Sequence, residues 1–323
     1  MGFACDNVVA FEVVLCDGRI VVADGSGEHA DLFRVLKGGG NNFGVVTRFT
    51  LRTVPSGPVW GGFVMLPGDR TPEAADALTS FTANAERDLD STVQFIVGYV
   101  PRFGGDVAMT LRINVAGVEN PPAFGKFSEL PALFDNTKVA SLQELLPLTA
   151  LPTDYYNVTY TISFKNDASI VKKVVELHAE LAARVREKVP DGDFATNCSL
   201  QPIPKFFAER SLAAGGNALG LEDYPHDAIM VFASAAVRTQ ELADWVRPQV
   251  RGLVDGVRAF AGSIEGGVCP WLHLNYASPD QAVLEGYGRE NVRRIREAAA
   301  KYDPDGVFQR LCSGGFKISA VRD

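Results

Sequence analysis

Two stretches of strict alternation constrain this chain most. Val107, Met109, Leu111, Ile113 and Val115 take every second position of one, and Tyr156, Val158, Tyr160, Ile162 and Phe164 of the other, facing Asn157, Thr159, Thr161 and Ser163. Successive side chains of a strand point to opposite faces, so each stretch is predicted to bury one face and leave the other wet or lining a cavity. Strands of that kind belong to antiparallel sheets. The period becomes helical over Ala168 to Lys188, where Ile170, Val174, Leu177, Leu181 and Val185 form one stripe, so a helix should pack on the sheet. A second helix is predicted over Thr239 to Phe260, kinked or broken at Pro248.

The first block reads differently. Val9, Phe11, Val13 and Leu15 alternate, the residues DGR turn the chain, and Ile20 to Ala23 returns, which predicts a hairpin. A short helix follows at Ala30 to Leu36, then the loop GGGNNFG from Gly38 to Gly44, then a strand carrying Val45, Thr47, Phe49 and Leu51. PSGP at Pro55 to Pro58 suits neither a helix nor a central strand and marks a boundary. Near the C-terminus a helix around Arg289 to Lys301 is stopped by the turn DPDG at Asp303 to Gly306. The class is α+β, divided at 1–58, 59–270 and 271–323.

Composition narrows the functions. The longest nearly unbroken apolar stretch, Ala228 to Val237, is about half of the roughly 20 residues that a membrane span needs. Lys and Arg number 31 against 39 Asp and Glu, with no basic cluster, so no nucleic-acid partner is expected. Cys5, Cys16, Cys198, Cys269 and Cys312 are scattered and read as packed thiols, with room for one disulfide. His29, His178, His226 and His273 lie far apart and read as satisfied histidines, so no metal is expected. There is no G-x-S-x-G, H-E-x-x-H, P-loop or EF-hand loop.

GGGNNFG is the most distinctive segment. Its glycines admit positive φ and close approach to a ligand, as in an anion nest, or they make a tight helix-to-strand turn. By itself WLHLNY, from Trp271 to Tyr276, reads as an aromatic-rich core strand, and GGN, from Gly215 to Asn217, as a loop. These segments occur in order with GFACDNVVAFEVVLCDGRIV, DLFRVLKGGGNNFGVVTRFTL, QP, YGRENVRRIR and KYDPDGVFQRL. That series resembles the FAD-linked oxidases of the berberine bridge enzyme-like group, with a PCMH-type FAD-binding domain, and in particular their fungal members.

The resemblance implies that 1–58 is the second half of an FAD-binding domain. It makes 59–270 a substrate domain whose antiparallel sheet, with helices on one face, roofs the flavin, and 271–323 a return to the FAD domain. The cofactor would be FAD, lined by Asp6, Asn7, Val8, Gly39, Gly40, Asn41, Asn42, Phe43, Gly44, Val45 and Val46, with Asn275, Tyr276, Tyr287 and Asn291 toward the isoalloxazine. Gln201 would lie on the substrate sheet. No glutamate aligns securely as the base, so Tyr276 and Tyr160 are the candidates, each equally readable as core packing. A phenol with an ordinary pKa near 10 needs a cationic neighbour or a coupled water for that task.

The implied reaction is oxidation of a small organic alcohol, sugar or secondary metabolite, with dioxygen reoxidising the flavin. A non-catalytic remnant that binds a small molecule or a partner, and a flavin-supported cyclase without net redox change, are the alternatives. Family members carry an arginine loop and a flavin-bonding histidine upstream of the segment matching GFACDN. The chain is therefore expected to be a C-terminal portion whose partner is a missing N-terminal half-domain, and to bind FAD weakly or not at all alone.

Overall fold

In a computed structural model, residues 2–55, 57–103, 105–145 and 153–322 are described. The chain runs β1 (Val8–Val14), β2 (Ile20–Asp24), α1 (Ala30–Leu36), β3 (Val45–Leu51), β4 (Val59–Leu66), α2 (Thr71–Ala83), β5 (Ser91–Val100) and β6 (Gly105–Asn114). It continues through α3 (Gly125–Ser128), β7 (Phe134–Asp135), β8 (Lys138–Ala140), α4 (Leu142–Leu145), β9 (Tyr156–Lys165), α5 (Ala168–Lys188), β10 (Phe194–Ile203) and α6 (Phe206–Ala213). The last elements are β11 (Ala228–Val237), α7 (Gln240–Gly262), β12 (Val268–Cys269), α8 (Arg289–Tyr302) and α9 (Val307–Arg310).

The chain divides into two units, one of residues 1–55, 205–225 and 270–323, the other of 56–204 and 226–269. An uninterrupted 59–270 domain is thus not what forms. Lys205–Pro225 joins the first unit, where Phe207 packs edge-on against Phe3 at 5.7 Å and Asn217 bonds Asp6.

In the first unit the predicted hairpin and strand make an antiparallel sheet of order β2-β1-β3. Phe11, Val13 and Ala23 are buried, as are Leu32, Phe33 and Val35 of α1. Ile20, Val22, Val45, Phe49 and Leu51 are each more than half exposed.

The second unit is built on an antiparallel sheet of order β12-β9-β11-β10-β5-β6-β4-β7, with β8 also on β4. Register makes the face assignment firm. Val158, Tyr160, Ile162 and Phe164 of β9 share one core with Val231 and Ala233 of β11, Cys198 and Leu200 of β10, and Phe95 of β5. Ala74 and Leu78 of α2, Val174 and Leu181 of α5, and Val250 and Val257 of α7 pack in the same core. Asp167 caps α5 by accepting from Ser169 N, and Thr239 caps α7 by accepting from Leu242 N. Pro248 does not break α7, which runs unbroken from Gln240 to Gly262. The buried stripe of Val246, Val250, Leu253 and Val257 carries the helix through the missing N–H.

Candidate functional site

In the first unit, the GGGNNFG loop is fixed by its own packing and by the C-terminal segment. A Cβ on Gly39 would sit 2.5 Å from Val35 O and 2.9 Å from the Phe43 ring, which is itself fully buried. The glycine there serves close packing of the loop on the end of α1. Gly40 differs: it has φ +69°, and a Cβ would find nothing nearer than Leu274 Cδ1 at 3.6 Å. Its backbone is the part of the loop that can be approached.

Asn42 is buried and its amide is committed on both sides. Nδ2 donates to Gly39 O (2.6 Å) and Phe316 O (2.9 Å), while Oδ1 accepts from Gln309 Nε2 (3.1 Å) and Ile318 N (3.0 Å). Asn41 Nδ2 reaches Gly314 O at 3.3 Å, and Lys317 Nζ donates to Asn41 O at 3.2 Å. The side chains of Asn42 and Phe43, named above as lining a cofactor, therefore shape the loop from behind. Lys317 brings a cation to it.

Asp6 centres a second arrangement. Its Oδ1 accepts from Ser211 Oγ (3.0 Å) and Asn217 Nδ2 (3.2 Å), and Asn217 Nδ2 also donates to Ser211 Oγ (2.6 Å). Asp6 Oδ2 is buried with no hydrogen-bond partner. Burial raises the pKa of this carboxyl, against the hydrogen bonds from Ser211 and Asn217 and the charge of Lys37. Lys37 is wholly buried, with Nζ donating to Ala214 O at 3.1 Å and lying 4.0 Å from the Phe33 ring centroid. Burial lowers its pKa. The same burial, with Asp6 beside it, pushes the Cys5 thiol up to about 12, so it is no nucleophile. Ser211 and Asn217 were not singled out as site residues from the sequence, although GGN was visible as a segment.

The remaining positions of this unit are distributed between support and surface. Tyr287 is fully buried, its hydroxyl donating to Gly38 O at 3.2 Å, and burial raises its phenol above the ordinary range. Asn291 Nδ2 donates to Glu222 Oε1 (3.1 Å) and Tyr287 O (3.2 Å), so both residues brace loops. Asn7 Nδ2 donates to Phe3 O at 3.1 Å, Val8 is buried at the start of β1, Val45 is exposed and Val46 half-buried. Gly44 lies against β1, where a Cβ would meet Val13 Cγ1 at 2.6 Å.

WLHLNY is not a strand. Residues 273–276 form a turn in which Tyr276 N donates to His273 O at 3.0 Å, leaving Asn275 exposed. The rings run from Phe3 through Trp271 (5.9 Å) and His273 (5.6 Å) to Tyr276, which meets His273 edge-on at 4.6 Å. Mutual aromatic packing holds the segment where a ladder was expected. Burial lowers the His273 pKa, favouring neutral imidazole beside Tyr276.

In the second unit Gln201 and Tyr160 are separated by the sheet. Gln201 alternates with the core residues Cys198 and Leu200 of β10 and lies on the face opposite α2, α5 and α7, in line with Asn197 and Ser199. Ser199 Oγ is 3.4 Å from Gln94 Oε1 on that face. Tyr160 is buried in the helix-covered core, in step with Val158 and Ile162 of the same apolar stripe. Tyr276 belongs to the first unit.

No protein-family model matches the chain. It is 34% identical over 321 residues to the FAD-dependent monooxygenase drtC of Aspergillus calidoustus, covering 99% of this chain and 61% of that protein. It is 33% identical over 338 residues to the FAD-dependent monooxygenase tpcD of Cochliobolus heterostrophus, covering 98% and 63%. The chain thus spans about three fifths of the length of these relatives. Among solved structures, 6-hydroxy-D-nicotine oxidase from Arthrobacter nicotinovorans aligns with TM-score 0.70 at 18% identity, over 94% of this chain and 65% of that one. A berberine bridge enzyme variant aligns with TM-score 0.69 at 17% identity, over 99% and 67%. The α+β fold is that of these oxidases, with the antiparallel sheet and one helix-covered face anticipated from the alternation.

Proposed function

We propose that the chain forms the larger part of an FAD-dependent oxidoreductase of the berberine bridge enzyme-like group, which oxidises a small organic alcohol, sugar or secondary metabolite with dioxygen as terminal acceptor. The observation that carries this reading is 34% identity over 99% of the chain to a relative named as an FAD-dependent monooxygenase. Residues of the first unit fit the cofactor. Asp6 Oδ2 is a buried acceptor without a donor, a match for a ribose hydroxyl or an adenine amine. The backbone at Gly40 is open to close approach, and Lys317 offers a charge for a phosphate.

When bound, FAD supplies the hydride acceptor. The chain's own residues would do the rest. In the second unit Gln201 would hydrogen-bond the substrate, and in the first Tyr276 is the remaining candidate for the base, working through a coupled water. Tyr160 is left to the core. The site of FAD would be completed by a further half-domain, a reading supported by the exposed apolar side chains of β2 and β3 and by the greater length of the relatives. The same exposed residues favour the second reading, a binding remnant without catalysis.

Titration of the purified chain with FAD, followed by flavin fluorescence, separates the two. Weak saturable binding that Asp6→Ala abolishes is expected. Unsaturable binding, or binding indifferent to that substitution, overturns the cofactor reading.

A further inference from the structure

The sheet face that carries Gln201 bears few charges. Over the six strands β4, β6, β5, β10, β11 and β9, register places on it a single ionisable side chain, Lys165 at the last position of β9, whose Nζ donates to Glu265 O at 3.2 Å. The face has two characters. Phe63 on β4 lies opposite Leu111 on β6, with Met65 opposite Met109 one step along. Across β10, β11 and β9 the row Asn197, Ser234 and Thr159 is polar, and Thr161 and Ser163 follow on β9, with Phe232 and Met230 of β11 between them and β10.

Two atoms on the polar half lack partners. Asn197 Oδ1 and Ser163 Oγ are buried with no hydrogen-bond partner, and Ser163 is fully buried as a residue. A buried polar atom left without a partner is costly, so two on one face call for a ligand that satisfies them. By strand spacing they lie roughly 16 Å apart, at opposite corners of the polar half.

We propose that this face takes an uncharged amphipathic substrate, with hydroxyl or carbonyl groups received by Asn197 and Ser163 and hydrocarbon laid over β4 and β6. The inference rests on the reading above for the place of the substrate and deepens it by naming its class. A carboxylate or ammonium would be desolvated there, with Lys165 at the end of β9, its Nζ engaged by Glu265 O, the one charge these six strands supply.

The test is calorimetric titration of the chain, without flavin, with three probes sharing one hydrocarbon: 4-phenylbutan-1-ol, 4-phenylbutanoate and 4-phenylbutan-1-aminium. The alcohol should bind about tenfold more tightly than either ion. Asn197→Asp should shift preference to the ammonium by about tenfold, and Ser163→Ala, a smaller change should Asn197→Asp fail to fold, should weaken the alcohol by a factor of about three to ten. An ion bound as tightly as the alcohol by the unsubstituted chain, no binding of any probe, or discrimination unmoved in the folded variants overturns the proposal. Retained discrimination in a chain that takes up no FAD leaves this inference standing while the cofactor reading fails.

Discussion

Gln309 Nε2 donates to Asn42 Oδ1 at 3.1 Å, joining residues 267 positions apart in sequence. The GGGNNFG loop and the segment after DPDG are the two stretches by which the sequence is most distinctive, and this contact explains why they occur together. Each supplies what the other lacks: the segment offers Phe316 O and Ile318 N, and the loop offers an amide that matches both.

Asn42→Ala is therefore expected to cost about 2–4 kcal/mol in urea unfolding, because four hydrogen bonds to a buried amide go at once. Asn42→Asp keeps the acceptor and loses both donations, turning a charged oxygen toward Gly39 O or Phe316 O, and should cost at least as much. A loss below 1 kcal/mol in both variants, with the urea slope unchanged, would show that the latch contributes little.

The two readings of the glycine loop predict different substitution patterns. Gly39→Ala forces a Cβ to 2.5 Å from Val35 O and should destabilise by about 2 kcal/mol or more. Gly40→Ala meets only ordinary contacts, Leu274 Cδ1 at 3.6 Å the nearest, and the left-handed backbone penalty, about 1 kcal/mol. Its larger effect should fall on FAD binding, measured by the same fluorescence titration. Equal unfolding costs for the two would undo the division between a packed and an approachable glycine.

Much of the scaffold was legible because period is a local property. The alternation of β6 and β9, the stripe of α5 and the bounds of α1 follow from residues within a few positions of one another. Tyr160 shows the signal being present and outweighed: it shares the apolar stripe of Val158, Ile162 and Phe164, and the structure buries it with them. WLHLNY was misleading because aromatic side chains favour strands in general, whereas here they pack on one another and on Phe3. The node at Asp6 was out of reach, since Ser211 and Asn217 lie 205 and 211 positions away and no pattern couples them.

His178 gives a pH dependence with a definite sign. It is buried on α5 with Nε2 3.1 Å from Thr196 Oγ1, and burial lowers its pKa to about 4 despite the nearby charge of Asp106. The folded state thus binds this proton less readily than the unfolded chain, where histidine titrates near 6.5. Its contribution is fully present above about pH 6.5 and is lost as pH falls toward about 4, roughly 3 kcal/mol in all. Unfolding free energies of the chain and of His178→Gln, compared from pH 7 to 4, should diverge at the upper end and converge at the lower. Parallel curves would remove the assignment.

Asp6 and Lys37 should prove coupled although no direct ion pair joins them. Each is buried and each charge offsets part of the burial of the other. Asp6→Asn leaves Lys37 charged without its opposite, Lys37→Met leaves Asp6 so, and the double substitution removes both. A double-mutant cycle is expected to return about 1 kcal/mol or more of coupling, the pair costing less together than the sum of the two alone. Additive effects would mean that the Ser211 and Asn217 hydrogen bonds alone hold the carboxylate.

The outer strand β3 carries the last prediction. It pairs with β1 on one side only, and Val45, Phe49 and Leu51 are each more than half exposed. An unpaired strand edge beside exposed apolar side chains is a template for another chain. The purified chain should self-associate as its concentration rises, seen as a growing mass in light scattering. Val45→Lys with Leu51→Lys should hold it monomeric at little cost to stability, because neither side chain is buried; Phe49 is left in place because its ring meets Phe11 at 5.4 Å. A chain that stays monomeric without the substitutions would show that this edge is protected by its own twist.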